Sequence, residues 1–452
     1  MQSFCCPFKT PPSFLLVLGM MLPLLLTRSG GIPFRNCFGS NLFCRNVATI
    51  RHCEIIPQKN AISVEWSDGK KEEFHGLWLR DFSPQLVCQQ TGQKLESVVS
   101  LPIASSKLQG VHLNHHSKLI VHWEDRYQCE YSADFLWKNS FSHRQEATIA
   151  FQSSLRHQKE KITLPTISFR RLFPSPQQAD ETALYEWTNN LVNHGLCLVK
   201  DVPTTSQTVV SLAESISPVP DTLYGKCFDV VYEEYPINIA YSNVGIVPHV
   251  DLQYYESPPG IQLLHCIQFD STVEGGESLF VDAFKCAEQL RECDPKAFAT
   301  LSRVPFTFRK DHMKRQNPAQ MFYSRPIISL NHRDEVIGVN WSPPFEAPPR
   351  VPVDDVAELY RAYSVFRSLV NDEGSPHFLK FRLQQGECIS FLQRRMLHGR
   401  EKYTVANGRR HLQGCYLNVD DFLSRYLVLR RKLKVEDKSK WQIFRVGNND
   451  FS

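Results

Sequence analysis

Downstream of Asn238 the sequence is divided into short apolar runs by Gly, Pro and Asn, and this pattern limits the possible folds most strongly. Four of these runs occupy residues 261–267, 278–281, 387–391 and 412–419. Apolar runs of about four to eight residues suit β-strands, whereas helices are usually longer than about ten residues. We therefore predict a β-sandwich or open barrel with a few helices outside it, among which residues 354–370 are the clearest.

The N-terminal part contains two similar phrases that lie 57 residues apart. Each phrase has an alternating apolar run, a polar turn and a further apolar position, as is typical of a β-hairpin. The matching positions are Trp66, Asp68 and Phe74 in the first phrase and Trp123, Asp125 and Tyr131 in the second. The repeat predicts a small β domain over residues 54–140.

A polar stretch at residues 142–161 contains no Gly or Pro and predicts a helical connector, which we place at 141–163. The second domain then spans residues 164–452. It begins with helical apolar spacing at 177–193, which His194 and Gly195 end, and a strand is expected at 196–199.

The first 53 residues have the composition of a targeting segment. They carry Lys9 and four arginines, no acidic residue precedes Glu54, and an apolar run occupies residues 14–26. That run is shorter than the roughly 20 residues that a membrane-spanning helix needs, so no membrane anchor is expected. Because the arginines continue to Arg51, a mitochondrial transit peptide is favoured, with the secretory pathway and the cytoplasm as alternatives.

Charge and cysteine usage exclude other classes of protein. The chain has 51 basic and 47 acidic residues, a formal net charge of +4, and no basic stripe, so nucleic acid is not an expected partner. The 14 cysteines form no CxxC pair, which predicts free thiols in a reducing compartment.

His249 and Asp251 are the first candidate metal ligands. Side chains two residues apart project from the same face of a strand, so this imidazole and carboxylate can reach one ion. His398 follows a strand-like run at 386–391 and can supply a second imidazole. Such a trio leaves three positions open on non-haem iron(II), whereas zinc favours a tetrahedral site. With 16 histidines in the chain, the spacing alone also allows ordinary core or surface histidines.

Arg410 favours the metal interpretation. It lies twelve residues after His398 and within a strand-like run. A guanidinium can form two parallel hydrogen bonds to a carboxylate, which suits the distal carboxylate of a dicarboxylic keto acid. A surface ion pair is the alternative, and the histidine upstream argues against it.

Longer motifs carry a family resemblance. They read SPPGIQLLHCI at 257–267, EGGE at 274–277 and VDAF at 281–284, with WLRD at 78–81 and LHGR at 397–400. Over residues 54–432 the chain resembles the gamma-butyrobetaine dioxygenase and trimethyllysine dioxygenase family, and it is more similar to the former enzyme. The resemblance implies a mainly β fold with flanking helices, in which a double-stranded β-helix (jelly-roll) catalytic domain follows the small β domain.

The same resemblance implies a ligand set. His249, Asp251 and His398 are expected to bind iron(II), and Arg410 is expected to hold 2-oxoglutarate as cosubstrate beside dioxygen. The resemblance also allows ascorbate as a further cofactor and a homodimer.

An aromatic cage for a trimethylammonium group is implied as well. Its expected members are Tyr224, Phe228, Tyr241 and Tyr416, with Asn238 as a polar contact close by. Aromatic faces attract a quaternary ammonium, which cannot donate hydrogen bonds. Without the resemblance, these four aromatic residues would be assigned to the core.

The sequence departs from the family at three places. The segment FSPQLVC at 82–88 keeps only Cys88 of a zinc-binding cysteine cluster, and Tyr127 stands where a histidine would, so a structural zinc is not expected. Leu392, Gln393 and Arg394 replace an acidic residue, an asparagine and a residue that is usually aromatic. Residues 339–344 replace a region with paired asparagines, which bears on the far end of the pocket.

Three functions fit these observations. Hydroxylation of gamma-butyrobetaine to L-carnitine, a step of carnitine biosynthesis, is the first expectation, and trimethyllysine hydroxylation is the second. The third is a binding or regulatory protein that keeps the fold without the catalysis. The retention of all three metal ligands and Arg410 argues against the third function.

Overall fold

The computed structural model describes residues 49–435 except 89, 92, 95–106, 116–117, 142–160, 176–177, 237, 314–317 and 405–407. Residues 1–48 of the predicted targeting segment and almost all of the predicted connector therefore lie outside the described residues. Within the described ranges, no helix combines the length and the apolar character needed to span a bilayer.

The N-terminal part forms two three-stranded antiparallel sheets, as the repeated phrase predicts. The strands are β1 (Ile50–Ile56), β2 (Ala61–Trp66), β3 (Lys71–His75), β4 (Leu108–Leu113), β5 (Leu119–Trp123) and β6 (Gln128–Tyr131), with helices α1 (Gly76–Asp81) and α2 (Ala133–Lys138) and 3-10 turns at Pro57–Lys59 and Pro84–Leu86. Trp66, Phe74, Trp123 and Tyr131 are buried in one shared core. Strand β1 already begins at Ile50, ahead of the boundary predicted at residue 54, because the buried Ile50 pairs with Trp66.

Hydrogen bonds and a cation contact fill the region where the resemblance would place a zinc ion. The hydroxyls of Ser83 and Tyr127 are 2.6 Å apart, and Ser83 donates to Cys129 Sγ at 3.0 Å. The Arg80 guanidinium lies 3.5 Å from the centre of the Tyr127 ring and binds both carboxylate oxygens of Asp125 at 3.0 and 2.8 Å. These contacts link α1 and Ser83 to the β5–β6 turn.

We expect the N-terminal part to be stable without zinc because Ser83 and Tyr127 hydrogen-bond to each other. A strong chelator should leave the melting temperature of iron-free protein unchanged, and elemental analysis should find no stoichiometric zinc. One zinc per chain, together with a lower melting temperature after chelation, would contradict this expectation.

The remaining described residues supply fourteen further strands and seven helices. The strands are β7 (Thr166–Ser168), β8 (Leu196–Lys200), β9 (Phe228–Val231), β10 (Ile246–His249), β11 (Ile261–Phe269), β12 (Ser278–Asp282), β13 (Pro305–His312), β14 (Ala319–Pro326), β15 (Ile328–Leu330), β16 (Val336–Val339), β17 (Phe378–Phe381), β18 (Cys388–Leu392), β19 (Met396–Arg400) and β20 (Arg410–Leu417). The helices are α3 (Phe169–Leu172), α4 (Glu181–His194), α5 (Thr208–Glu214), α6 (Ala283–Cys293), α7 (Pro295–Arg303), α8 (Val353–Val370) and α9 (Val419–Lys432), and 3-10 turns lie at Ile239–Tyr241 and Pro343–Phe345.

Two sheets form the predicted jelly roll. The larger sheet has the order β7-β8-β18-β11-β20-β9, and the smaller one has the order β10-β19-β12-β17. All neighbouring strands in them are antiparallel except β7 and β8. Apolar side chains from both sheets, including Phe280, Phe391 and Met396, form a common core. The four apolar runs of the sequence thus become β11, β12, β18 and β20.

Helices cover this β core on the outside. Helices α4, α5 and α9 pack against the larger sheet, and α6, α7 and α8 form a second cluster with the short hairpins. The helix predicted at 177–193 begins later, at Glu181, because the Asp180 side chain caps it by accepting a hydrogen bond from the Ala183 amide. It ends as predicted at Gly195, whose φ of 80° suits glycine. The helix predicted at 354–370 is α8.

His265 on β11 makes folding sensitive to acid. Burial lowers the pKa of this fully buried imidazole to about 4, from an ordinary value of 6.5. Between these values the unfolded chain takes up a proton that the folded chain refuses, so stability is lost as the pH falls through this window. The loss attributable to His265 should reach roughly 3 kcal/mol.

Urea unfolding of iron-free protein at pH 7, 6 and 5 measures this contribution. As the pH is lowered from 7 to 5, the free energy of unfolding should fall less steeply for His265→Gln than for the parent chain. Parallel pH profiles would show that His265 does not contribute.

Candidate active site

Neighbouring strands bring the two predicted histidine ligands together. His249 ends β10, His398 lies in the middle of β19, and the two are directly paired in the antiparallel ladder. Gly399 allows the strands to approach closely, because a Cβ there would lie only 2.5 Å from the carbonyl oxygen of Ile246. The prediction that a neighbouring strand supplies the second imidazole describes this arrangement correctly.

Asp251 reaches the histidines by a different route from the one predicted. Strand β10 ends at His249, so Asp251 lies in a bend beyond it rather than on the same strand face. The bend follows from the hydrogen bond that the Val250 amide donates to the carbonyl oxygen of Trp341, at 2.8 Å, outside the sheet. The expectation of a shared strand face was therefore wrong, although the carboxylate does lie beside both imidazoles.

The distances within this trio suit a single ion. Nε2 of His249 lies 3.3 Å from Oδ1 of Asp251, and Nε2 of His398 lies 3.6 Å from Oδ2. One ligand atom from each residue falls within 4.8 Å of the other two, and no second group of three such residues does so in the described part of the chain. Ligands that each lie about 2.1 Å from one ion at right angles are about 3 Å apart, so only small adjustments would close the site.

The electrostatics of His398 and Asp251 suit metal ligands. Burial, reinforced by the nearby His249, lowers the pKa of His398 to about 3, so its imidazole is neutral and can donate a lone pair. Burial alone would raise the pKa of Asp251, but His398, His249 and Tyr416 hold it well below its usual range. Burial likewise works against protonation of His249, but the Asp251 carboxylate outweighs it and raises the pKa.

Two side chains orient the Asp251 carboxylate. The Tyr416 hydroxyl donates to Oδ2 at 2.9 Å, and the buried Gln262 amide donates to the same oxygen at 3.0 Å. Oδ1 takes neither of these hydrogen bonds, so it is the better placed oxygen for an ion. Tyr416 was predicted only as a cage residue. Gln262 was not predicted, although it lies within the SPPGIQLLHCI motif.

Arg410 is a buried cation without a carboxylate partner among the described residues. It begins β20, is 4% exposed, and no carboxylate pairs with it among the described residues. Its nearest ring contacts are Phe269 and Tyr403, with ring centres 5.2 and 5.5 Å from its guanidinium carbon. Burial and the neighbouring Arg400 lower its pKa to about 10. A surface ion pair is thus excluded, and a carboxylate ligand would compensate a charge that is costly to bury alone.

The EGGE motif provides space beside this arginine. Gly276 has a φ of 77°, and a Cβ at this position would lie 3.2 Å from Nε of Arg410. A larger side chain would therefore press on the guanidinium.

All of the predicted substrate residues line one cavity. The cavity has a volume of about 520 Å³, including space open to solvent, and also contains His249 and Asp251 in its wall. The predicted residues in its wall are Tyr224, Phe228, Asn238, Tyr241 and Tyr416. The ring centres of Phe228 and Tyr416 are 5.1 Å apart, and those of Phe228 and Tyr224 are 6.2 Å apart.

Sequence reasoning missed two aromatic residues of the cavity wall, Tyr254 and Phe345. The hydroxyls of Tyr254 and Tyr224 lie 3.2 Å apart, and the Asn238 amide donates to the Tyr224 hydroxyl at 3.2 Å. Pro344 is the last residue of the 339–344 departure and Phe345 follows it, so that region does contribute to the wall. The only sequence signal for Tyr254 is its position three residues after Asp251.

Arg400 fixes the loop that carries part of this wall. Its guanidinium donates to the carbonyl oxygens of Ala240 at 3.1 Å, Ser242 at 2.8 Å and Val244 at 2.7 Å. Since Arg400 lies two residues after His398 on β19, one strand carries a metal ligand and anchors the loop around Tyr241. The LHGR motif could have indicated this residue, but its role depends on contacts distant in sequence.

Comparisons with known proteins agree with this geometry. Residues 163–416 match the family described as Taurine catabolism dioxygenase TauD, TfdA family, and residues 54–137 match Gamma-butyrobetaine hydroxylase-like, N-terminal. The chain is 31% identical to Gamma-butyrobetaine dioxygenase of Pseudomonas sp. (strain AK-1), with 82% of this chain and 94% of that protein covered.

Two further relatives extend the comparison. The chain is 29% identical to Trimethyllysine dioxygenase of Meyerozyma guilliermondii, with 82% of this chain and 94% of that protein covered. It is 27% identical to Gamma-butyrobetaine dioxygenase of Homo sapiens, with 85% of this chain and 98% of that protein covered. The chain therefore belongs to the TauD, TfdA dioxygenase family and is an iron(II)- and 2-oxoglutarate-dependent dioxygenase.

Proposed function

We propose that this protein hydroxylates a small trimethylammonium compound, and that gamma-butyrobetaine is the substrate and L-carnitine the product. The observation that carries the proposal is the aromatic cavity whose wall includes His249 and Asp251. No lysine or arginine is among the described residues that line it, so a cationic group meets no like charge there. The similarity to gamma-butyrobetaine dioxygenases supports the choice of substrate.

Each group of residues has a separate task in this proposal. His249, Asp251 and His398 would hold iron(II), and Arg410 would bind the distal carboxylate of 2-oxoglutarate. The bound metal and cosubstrate supply the oxidising chemistry with dioxygen. Gln262 and Tyr416 keep the Asp251 carboxylate oriented, and the cavity wall would hold the substrate's C–H bond in position.

Aromatic faces give the cavity its preference for an ammonium group. Tyr224, Phe228 and Tyr416 form a continuous group of rings, and each face can contribute about 0.5 to 2 kcal/mol to a desolvated cation. The Tyr416 hydroxyl is engaged with Asp251, so this residue offers the cavity its ring rather than a hydrogen-bond donor.

Phe228 gives a direct test of this cage. Phe228→Trp should increase the preference for a trimethylammonium ligand over its neutral carbon isostere, because indole has the more electron-rich face, and Phe228→Leu should reduce it. The affinities of gamma-butyrobetaine and 5,5-dimethylhexanoate for all three proteins measure this preference.

The ratio of the two affinities is the informative quantity. The tip of the Phe228 ring already packs directly over Gly414, so the larger indole will cost some affinity through overpacking. That steric cost falls on both ligands. If the charged-to-neutral ratio does not rank Trp above Phe above Leu, Phe228 is core packing and not part of a cage.

Trimethyllysine is the second candidate substrate, supported by the similarity to trimethyllysine dioxygenases. Comparison of kcat/KM for the two compounds decides between them. The third function, a binding protein without catalysis, has no support from the site, since the three metal ligands are assembled and the buried Arg410 is present.

A mitochondrial location fits the acid-free, arginine-containing N-terminus and the similarity to the protein named Trimethyllysine dioxygenase, mitochondrial, of Mus musculus. The two matched segments support the division into an N-terminal domain at 54–140 and a catalytic domain at 164–452.

A further inference from the structure

The turn between β18 and β19 carries Gln393, a residue that the metal chemistry leaves unexplained. Its side chain is 1% exposed and reaches the segment that contains Asp251. Oε1 accepts a hydrogen bond from the Asp251 amide at 3.3 Å, while Nε2 donates to the Asp251 carbonyl oxygen at 3.3 Å and to the Pro259 carbonyl oxygen at 3.2 Å. One carboxamide thus spans both peptide groups of a metal ligand.

Asp251 needs such support because of its place in the chain. It lies beyond the end of β10, so the sheet does not satisfy its peptide groups. The following residue, Leu252, has a φ of 60°, a left-handed conformation that is unfavourable for a residue with a branched side chain. Hydrogen bonds from Gln393 therefore stabilise the bend that turns the carboxylate toward His249 and His398.

The turn itself is held against the same segment. The Gln393 amide donates to the Gly260 carbonyl oxygen at 2.8 Å, and the Arg394 guanidinium donates to the Pro258 carbonyl oxygen at 3.1 Å. Because β19 starts directly after this turn, the position of His398 is tied to that of Asp251.

We propose that Gln393 is a positioning residue for the metal site, which fixes the backbone of Asp251 relative to His398. The three hydrogen bonds of this side chain require one acceptor oxygen and two donor hydrogens, which a carboxamide provides. A glutamate carboxylate cannot donate. Methionine has the length of glutamine but makes none of these hydrogen bonds. The inference rests on the assignment of the three metal ligands, and it does not depend on the substrate.

The test is the affinity of the purified chain for cobalt(II), measured by anaerobic titration, and the visible spectrum of the cobalt-bound protein. Gln393→Met should weaken cobalt binding by about 10- to 100-fold, as is usual when the support of a metal ligand is removed, and should change the spectrum. Gln393→Asn keeps the carboxamide on a shorter side chain. Its affinity for cobalt(II) should lie between those of Gln393→Met and the parent. Gln393→Asn also serves as the test variant if Gln393→Met does not fold.

Gln413→Met is the matched control. Gln413 is likewise buried and makes three side-chain hydrogen bonds, to the Gln207 amide, Ser206 and Asp229, none of which is a metal ligand. This variant should lose stability but bind cobalt with the parent affinity and spectrum. Parent-like cobalt binding by Gln393→Met, or equal weakening in both methionine variants, would overturn the proposal. If the parent chain binds cobalt no better than His398→Ala does, the ligand assignment itself fails.

Discussion

Replacement of His398 by alanine is expected to abolish iron retention and turnover while the chain stays folded. His398 is one of three protein ligands, and no other histidine of the described residues belongs to this cluster. The affinity for iron(II) should fall by on the order of 100-fold or more. This loss is larger than the one expected when a residue that only hydrogen-bonds to a ligand is removed. His249→Ala should behave in the same way.

Metal content after anaerobic loading and desalting is the measurement, with circular dichroism to confirm the fold. His332→Ala is a suitable control, because His332 is exposed in the turn between β15 and β16. A parent-like iron content in His249→Ala or His398→Ala would exclude these histidines as ligands.

Arg410→Met is expected to abolish productive 2-oxoglutarate binding and leave iron binding intact. A hydrogen-bonded pair between a guanidinium and a carboxylate contributes about 1.5 to 3 kcal/mol, so the dissociation constant for 2-oxoglutarate should rise roughly 10- to 150-fold. Because Arg410 is buried and pairs with no carboxylate in the described part of the chain, its replacement by an apolar side chain should not lower the stability of the ligand-free protein.

Titration of iron-loaded protein with 2-oxoglutarate measures this effect, and Arg382→Met provides the control. The Arg382 guanidinium lies 3.7 Å from the centre of the Phe269 ring and donates to the carbonyl oxygens of Gly275 and Asp270. Loss of the Arg382 guanidinium should reduce the stability of the protein. It should weaken 2-oxoglutarate binding less than Arg410→Met does. An unchanged affinity in Arg410→Met would show that another residue binds the cosubstrate.

Short-range patterns in the sequence were sufficient for the β core, whereas the metal trio was identified with the help of the family resemblance. The apolar runs became β11, β12, β18 and β20 because strands buried between two layers need continuous apolar side chains. The pairing of His249 with His398 follows from neighbouring strands of one sheet.

Contacts between distant residues could not be predicted in this way. Tyr416 and Gln393 reach Asp251 across 165 and 142 residues, and Arg400 reaches Ala240 across 160. No local periodicity encodes such contacts. The bend at Asp251 was missed for the same reason, since it depends on the carbonyl oxygen of Trp341, a residue 91 positions from Val250.

We expect this site to couple the conversion of 2-oxoglutarate to the hydroxylation of a trimethylammonium compound. The most direct test incubates iron-loaded protein with 2-oxoglutarate, dioxygen and gamma-butyrobetaine and quantifies succinate and product together. Succinate and a product one oxygen atom heavier than the substrate should form in equal amounts, and neither should form in His398→Ala. If protein that binds iron and 2-oxoglutarate releases no succinate above background with gamma-butyrobetaine or trimethyllysine, the site does not carry out this coupled reaction.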